Sequence, residues 1–172
     1  MNVLAPLLLT QAIAPYLPPR GQSPPLAIGR GRIINVSSVS SSLGFTGQSV
    51  YGGTKAALEA MTRTWARELG SRATVNAVNP GPVVGDMYFN TGEAFWKQMQ
   101  GYQDSTPLSE LRDVDVGALG PHNAALVREK MGGRRPAFTS EIAGVVGMLC
   151  TPDAEWTTGS VVCANGGMRM SV

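Results

Sequence analysis

The apolar positions of the chain fall into short blocks with two different periods. Ile33-Ile-Asn-Val36 is a compact run with β-branched residues, and Thr74-Val-Asn-Ala-Val78 repeats it, so both predict buried strands. Between them Ala56, Ala57, Ala60, Met61, Thr64, Trp65 and Leu69 recur at helical spacing, which predicts a helix over Tyr51 to Gly70 that stops at the glycine. Strand, helix and strand in this rhythm predict a parallel pair joined by a right-handed crossover. A further helix is predicted from Ser140, its N-cap, to Cys150, and a last strand over Gly159 to Ala164, closed by Gly166-Gly167.

Two segments lack so clear a pattern. At the start, Val3, Leu4, Leu7, Leu8 and Ala12 alternate with polar Asn2, Thr10 and Gln11, which suits an amphipathic packing helix ended by Pro15 and Pro18. The same run could pass for a signal peptide, but it lacks the basic residues that open one. Pro18 to Arg32, rich in Pro, Gly and Arg, reads as a surface loop. From Asp86 to Phe138 the periodicity loosens and aromatics mix with polar residues, predicting two or three short helices that form a cap over a site. Within it Trp96 and Tyr102 either line an apolar substrate pocket or, the commoner outcome, pack. No repeat divides the chain, which reads as a single domain over residues 1–172 with residues 86–138 as a cap region.

Composition narrows the function classes. With 172 residues, 43% apolar and 15% charged, the chain can bury a core and is not a disordered segment. The net charge of +2 comes from 14 basic and 12 acidic residues spread along the chain, so no nucleic-acid footprint is visible, and the Arg134-Arg135 pair reads as a solvated loop. No run approaches the ~20 apolar residues of a membrane span. Cys150 and Cys163 sit in apolar surroundings and read as buried free thiols of a cytoplasmic protein rather than as a disulfide. His122, in a stretch with Gly and Pro, has no metal-ligand partners and reads as an exposed loop residue.

Ligands of a parallel α/β sheet bind beyond the carboxyl ends of its strands, and the informative residues stand there. Ser37, Ser38, Ser40, Ser41 and Ser42 follow the first strand, Asn79-Pro-Gly follows the second, and Tyr51 and Lys55 open the helix between them. Four residues apart, Tyr51 and Lys55 share one helix face. A phenol near pKa ~10 is a poor acid or base at neutral pH, and an ammonium beside it favours the phenolate. Such a tyrosine can exchange a proton with a substrate oxygen, while a serine hydroxyl, for which Ser38 is chosen among the five, orients that oxygen.

Taken together, Gly31-Arg-Ile-Ile-Asn-Val-Ser-Ser38, Tyr51-Gly-Gly-Thr-Lys-Ala-Ala-Leu58, Ala66-Arg-Glu-Leu69, Thr74-Val-Asn-Ala-Val-Asn-Pro-Gly81 and Thr158-Gly-Ser160 before Gly166-Gly167 resemble the short-chain dehydrogenase/reductase family in order and register. The resemblance implies an α/β fold, part of a Rossmann-type doubly wound parallel sheet comprising the family's strands five to seven with flanking helices. It also implies an NAD(P)-dependent oxidoreductase that moves hydride between the nicotinamide of NADP, or of NAD, and a ketone or secondary alcohol. A homo-oligomer and a small-molecule carbonyl or alcohol substrate follow, with no nucleic-acid or membrane partner. The aromatic cap would admit a bulky ketone of secondary metabolism. Residue by residue, Ser38 matches the catalytic serine, Tyr51 the proton donor or acceptor, and Lys55 the lysine that assists it and binds the nicotinamide ribose. Asn2 matches an asparagine linked to the lysine through water, and Pro80, Gly81 and Val83 match backbone that lies against the nicotinamide.

Two departures bear on what the resemblance licenses. Gly85 stands where the family usually has a cofactor-bonding threonine. The Gly-x-x-x-Gly-x-Gly turn that seats the pyrophosphate at a helix N-terminus occurs nowhere in the sequence. By comparison with the family, the chain starts in the helix after the fourth strand and keeps three strands of a usually seven-stranded sheet. The strand at Ile33 to Val36 should then have an open edge, with apolar helix surface beside it. The alternative to an oxidoreductase is a non-catalytic truncated homologue or interaction fragment that cannot bind dinucleotide alone.

Overall fold

A computed structural model of the chain describes residues 1–18 and 31–170, so most of the loop expected over Pro18 to Arg32 lies outside the described residues. The elements in order are α1 (Leu4–Ile13), β1 (Gly31–Val36), α2 (Ser49–Glu68), β2 (Ala73–Pro80), α3 (Asp86–Phe89), α4 (Glu93–Asp104), α5 (Val116–Leu119), α6 (Pro121–Lys130), α7 (Thr139–Cys150) and β3 (Val161–Ala164). The strands form one sheet in the order β1-β2-β3, with β1 parallel to β2 from Gly31 opposite Ala73 to Val36 opposite Val78. This is the α/β architecture with a three-stranded parallel sheet that the sequence predicts.

The chain divides into two compact units, residues 1–79 with 143–162, and residues 80–142 with 163–172. In the first, Ile33, Leu58, Trp65, Ala66 and Val75 form the apolar core. β2 is buried along its whole length, and its two asparagines are hydrogen-bonded, whereas the Thr74 hydroxyl has no partner among the described residues. Asn76 donates to the Thr157 carbonyl at 2.8 Å and accepts from the Ser160 N–H at 3.1 Å, while the Val75 N–H donates to the Thr158 hydroxyl at 3.0 Å. Thr158-Gly-Ser160 thus docks on the central strand through side chains that add to two backbone bonds, Gly159 N–H to the Val75 carbonyl at 2.7 Å and Ala77 N–H to the Ser160 carbonyl at 2.9 Å. β1 occupies an edge of the sheet, with Val36 52% exposed at its end.

The N-terminal helix packs by only part of the face its pattern predicts. Leu7 joins the core and Thr10 is buried, whereas Leu4, Leu8, Leu9 and Ile13 are exposed. Of these exposed residues, Leu9 and Ile13 border, with the β1 edge, a cavity of ≈ 340 Å³ also lined by Asn2, Ile33, Val36 and Lys55. No helix among the described residues is long and apolar enough to cross a membrane.

The second unit is more helical than the loosened pattern suggests, with four helices and a 3-10 turn within residues 86–138. Tyr88, Trp96, Leu119, Ala124, Val127 and Met131 build its core, so Trp96 packs, its indole N–H donating to the Tyr88 carbonyl at 3.2 Å. Four local expectations change. The helix expected at Ser140 begins at Thr139, and it is Glu141 that reaches back to accept the Phe138 N–H at 2.7 Å, leaving Ser140 inside the first turn. Arg135 is buried rather than solvated, held by Glu141 at 2.9 Å and stacked 4.5 Å from the Phe138 ring. His122 lies on the exposed side of α6, because Pro121 opens a helix there instead of a loop. Cys150 is exposed, since it falls on the outer side of the last turn of α7; both cysteines are free thiols.

Candidate active site

Asn2, Ser38, Tyr51 and Lys55 all belong to the first unit and gather around the carboxyl end of β1. The Lys55 ammonium, half-buried, donates to the Val36 carbonyl at 2.8 Å and stands 5.7 Å from the centre of the Tyr51 ring. Partial burial lowers the lysine's pKa from its ordinary value, since a charged amine loses hydration there. The Tyr51 side chain is 42% exposed and so accessible to a small molecule. Asn2 donates to the Thr54 hydroxyl at 3.2 Å, which itself donates to the Tyr51 carbonyl at 2.7 Å, so the asparagine reaches the same turn of α2.

Ser38 caps a 3-10 turn over Val39–Ser41, accepting from the Ser40 N–H at 3.2 Å. Its hydroxyl connects to α2 through Ser40, whose own hydroxyl donates to Gln48 at 2.7 Å. This turn and the helix approach closely because position 52 has no side chain. A Cβ on Gly52 would lie 2.5 Å from the Ser40 carbonyl oxygen, so the glycine beside Tyr51 is a packing requirement despite the cost of glycine inside a helix. Sequence reasoning passed over Gly52, and over Glu59, which lies on the same helix face two turns after Tyr51. The i, i+4, i+8 spacing was the available signal.

Pro80, Gly81 and Val83 belong to the second unit. Pro80 ends β2 and is buried; Gly81 approaches Asn165 so closely that a Cβ would stand 3.4 Å from that residue's own Cβ. Val83 forms a parallel bridge with Ala137, flanked by hydrogen bonds from Val84 N–H to the Ala137 carbonyl at 2.8 Å and from Ala137 N–H to the Pro82 carbonyl at 2.9 Å. Gly85 is extended and precedes α3.

The donor set of the first unit fits the ribose end of a nicotinamide dinucleotide. Lys55 uses one of its three N–H groups on Val36, leaving two for ribose hydroxyls. The pyrophosphate end finds no such match among the described residues. The glycine pair Gly166-Gly167, which follows β3, is packed on protein, with Cβ positions 3.0 Å from Thr106 and 2.8 Å from Pro107, and the Gly167 N–H donates to Asn165 at 3.2 Å.

Comparison with known proteins places the chain in a family. The model for a family described as enoyl-(acyl carrier protein) reductase matches residues 1–130. An L-xylulose reductase of Aspergillus niger is 71% identical over 99% of this chain, and an L-xylo-3-hexulose reductase of Hypocrea jecorina is 61% identical over all of it. The chain spans 56% of the length of each of these relatives. Among solved structures, a blue fluorescent protein from a metagenomic library in complex with NADPH superposes with a TM-score of 0.69 at 28% identity, over 98% of this chain and 53% of its own. On the family match, the identities and the shared fold, the chain belongs to the short-chain dehydrogenase/reductase family.

Proposed function

We propose that the chain carries the proton-transfer centre of an NAD(P)H-dependent reductase whose substrate is a ketose. The observation that carries the reading is the Tyr51–Lys55 pair, an accessible phenol with an ammonium 5.7 Å from its ring at the carboxyl end of a parallel strand. The substrate class is supported by the relatives named for L-xylulose and L-xylo-3-hexulose, which favour a sugar over a bulky ketone. The NADPH in complex with the blue fluorescent protein that shares this fold supports the cofactor.

When bound, the reduced nicotinamide supplies the hydride for the carbonyl carbon. Tyr51 gives its phenol proton to the substrate oxygen in reduction and takes one back in alcohol oxidation. Ser38 donates a hydrogen bond to that oxygen, orienting it and stabilising the charge that gathers there. Lys55 binds the ribose hydroxyls and attracts the negative charge on the phenol oxygen, Asn2 holds a water linked to the lysine, and Pro80, Gly81 and Val83 lay backbone against the nicotinamide. Residues 86–138 bind the substrate, and the whole protein works as a cytoplasmic homo-oligomer.

Tyr51→Phe in the whole protein is expected to lower ketose reduction by about 10³-fold, within the usual range for loss of a general acid, while NADPH affinity is kept. Retained turnover in that variant would overturn the assignment. The packed Gly166-Gly167 turn favours a second reading, in which these 172 residues alone are a non-catalytic fragment. Calorimetry on the isolated chain separates the two: little or no dinucleotide binding fits the fragment, and a Kd of about 1 μM or tighter, roughly −8 kcal/mol, excludes it.

A further inference from the structure

Tyr51, Lys55 and Glu59 stand four residues apart in succession, so one face of α2 carries all three. Glu59 differs from the other two in being only 8% exposed. Its Oε1 accepts three hydrogen bonds, from the Ser37 hydroxyl at 2.6 Å, the Ser41 hydroxyl at 2.7 Å and the Asn79 side-chain amide at 2.9 Å. These donors lie on three separate pieces of backbone: the residue after β1, the 3-10 turn, and the carboxyl end of β2. Hydrogen bonds to a charged group contribute more than neutral ones, and withdrawing their shared acceptor would strand buried donors.

Ser38 sits between two of the anchored residues, Ser37 and Ser41. Its backbone carbonyl also accepts from the Asn79 amide at 2.9 Å, the same nitrogen that donates to Glu59. The Ser37 hydroxyl further lies 3.4 Å from the Lys55 carbonyl, tying the anchor to the turn of α2 that bears the lysine. The backbone on both sides of Ser38 is therefore fixed to the helix that presents Tyr51 and Lys55. We propose that Glu59 is the positioning residue of this site: its carboxylate sets where the Ser38 hydroxyl stands relative to the Tyr51–Lys55 face. The proposal rests on the reductase reading above, and Glu59 itself, being buried, touches neither substrate nor cofactor.

The test uses the whole protein with a ketose and NADPH, comparing Glu59→Leu, Glu59→Gln, Ser41→Ala and the Ser41→Ala/Glu59→Leu double variant. Misplacing a catalytic group by ~1 Å can cost about 10²-fold, so Glu59→Leu is expected to lose about that much kcat, with KM and NADPH affinity within about threefold of the parent. Glu59→Gln, whose amide oxygen still accepts, recovers most of the loss. Ser41→Ala alone lowers kcat about fivefold and adds nothing in the Glu59→Leu background, as members of one network should. The proposal is overturned if Glu59→Leu keeps kcat within about threefold, if KM and kcat fall together, or if the two substitutions multiply independently. Should Glu59→Leu not fold, an unchanged kcat in Ser41→Ala overturns it and a drop in kcat alone supports it. Should the parent protein reduce no ketose, the reductase reading falls by itself, and amide hydrogen exchange then decides. Faster exchange confined to residues 38–42 in Glu59→Leu, restored in Glu59→Gln, supports the anchor, and uniformly faster exchange overturns it.

Discussion

The two units satisfy their buried polar groups by different means. In the first, most interior bonds join neutral partners, such as Asn35 to Thr62 at 2.8 Å and Asn76 to Thr157 and Ser160, beside the buried carboxylate of Glu59 and one partly buried ion pair, Arg32 to Glu155 at 2.7 Å. In the second, a connected ionic cluster stands beside neutral bonds such as Gln103 to the Tyr88 hydroxyl at 2.8 Å. Asp115, 4% exposed, pairs with Arg112 at 2.8 Å and lies 3.3 Å from Arg135, which in turn holds Glu141. Neutral bonds keep their donors and acceptors across a wide pH range, so the strands of the first unit hold independently of proton exchange nearby, while the serine turn hangs on the one carboxylate of Glu59. Ion pairs instead hold irregular backbone between short helices, at the cost of a dependence on both partners and on pH.

Removing one ionic partner should have the largest effect. Arg135→Met leaves Asp115 buried with Arg112 alone and frees Glu141, which is partly exposed, so a loss of about 2–3 kcal/mol is expected in denaturant unfolding, below the usual figure for a fully buried pair. A loss under ~0.5 kcal/mol would break the contrast between the units. Next comes Gly52→Ala in the first unit. Alanine improves helix propensity by about 1 kcal/mol, yet its Cβ would meet the Ser40 carbonyl oxygen, and overpacking of this kind costs about 1–3 kcal/mol. A net destabilisation of about 1 kcal/mol, together with faster amide exchange in residues 38–42, is the expected result, and a stabilised variant would show that the turn is free to move away.

Acid should produce the smallest change, through the ionic cluster of the second unit. The Arg112 guanidinium donating to Asp115 holds its carboxyl down at about 2 from an ordinary 3.8, against the upward push of burial, and Arg135 lowers Glu141 in the same way. A depressed folded pKa means that the unfolded chain takes up its proton first as pH falls. The stabilisation is therefore complete above about pH 4 and is lost on the way to about pH 2. Exchange-protection of residues 109–116 measured across that window should fall before that of residues 33–42; the reverse order would contradict the contrast.

Much of this was legible in the chain itself. The β-branched runs at Ile33 and Thr74 and the 3.6-residue recurrence from Ala56 to Leu69 specified two strands and a helix, because backbone period and apolar period must agree for a face to be buried. The same regularity placed Tyr51 and Lys55 on one face at the end of a strand, and position in a parallel sheet does most to mark them as a site. What stayed hidden depended on neighbours distant in sequence. Glu59 in an amphipathic helix reads as a surface residue, and only the arrival of Ser37, Ser41 and Asn79 from elsewhere makes its burial possible. Arg135 reads as half of a solvated pair until Asp115 and Glu141 meet it, and Leu4 and Leu8 read with Leu7 as packing residues although the fold buries polar Thr10 beside Leu7 and leaves Leu4 and Leu8 exposed. Local periodicity is a property of consecutive residues and can be read from one chain. The partner that satisfies a buried charge is a property of the folded space, and the tertiary structure alone supplies it.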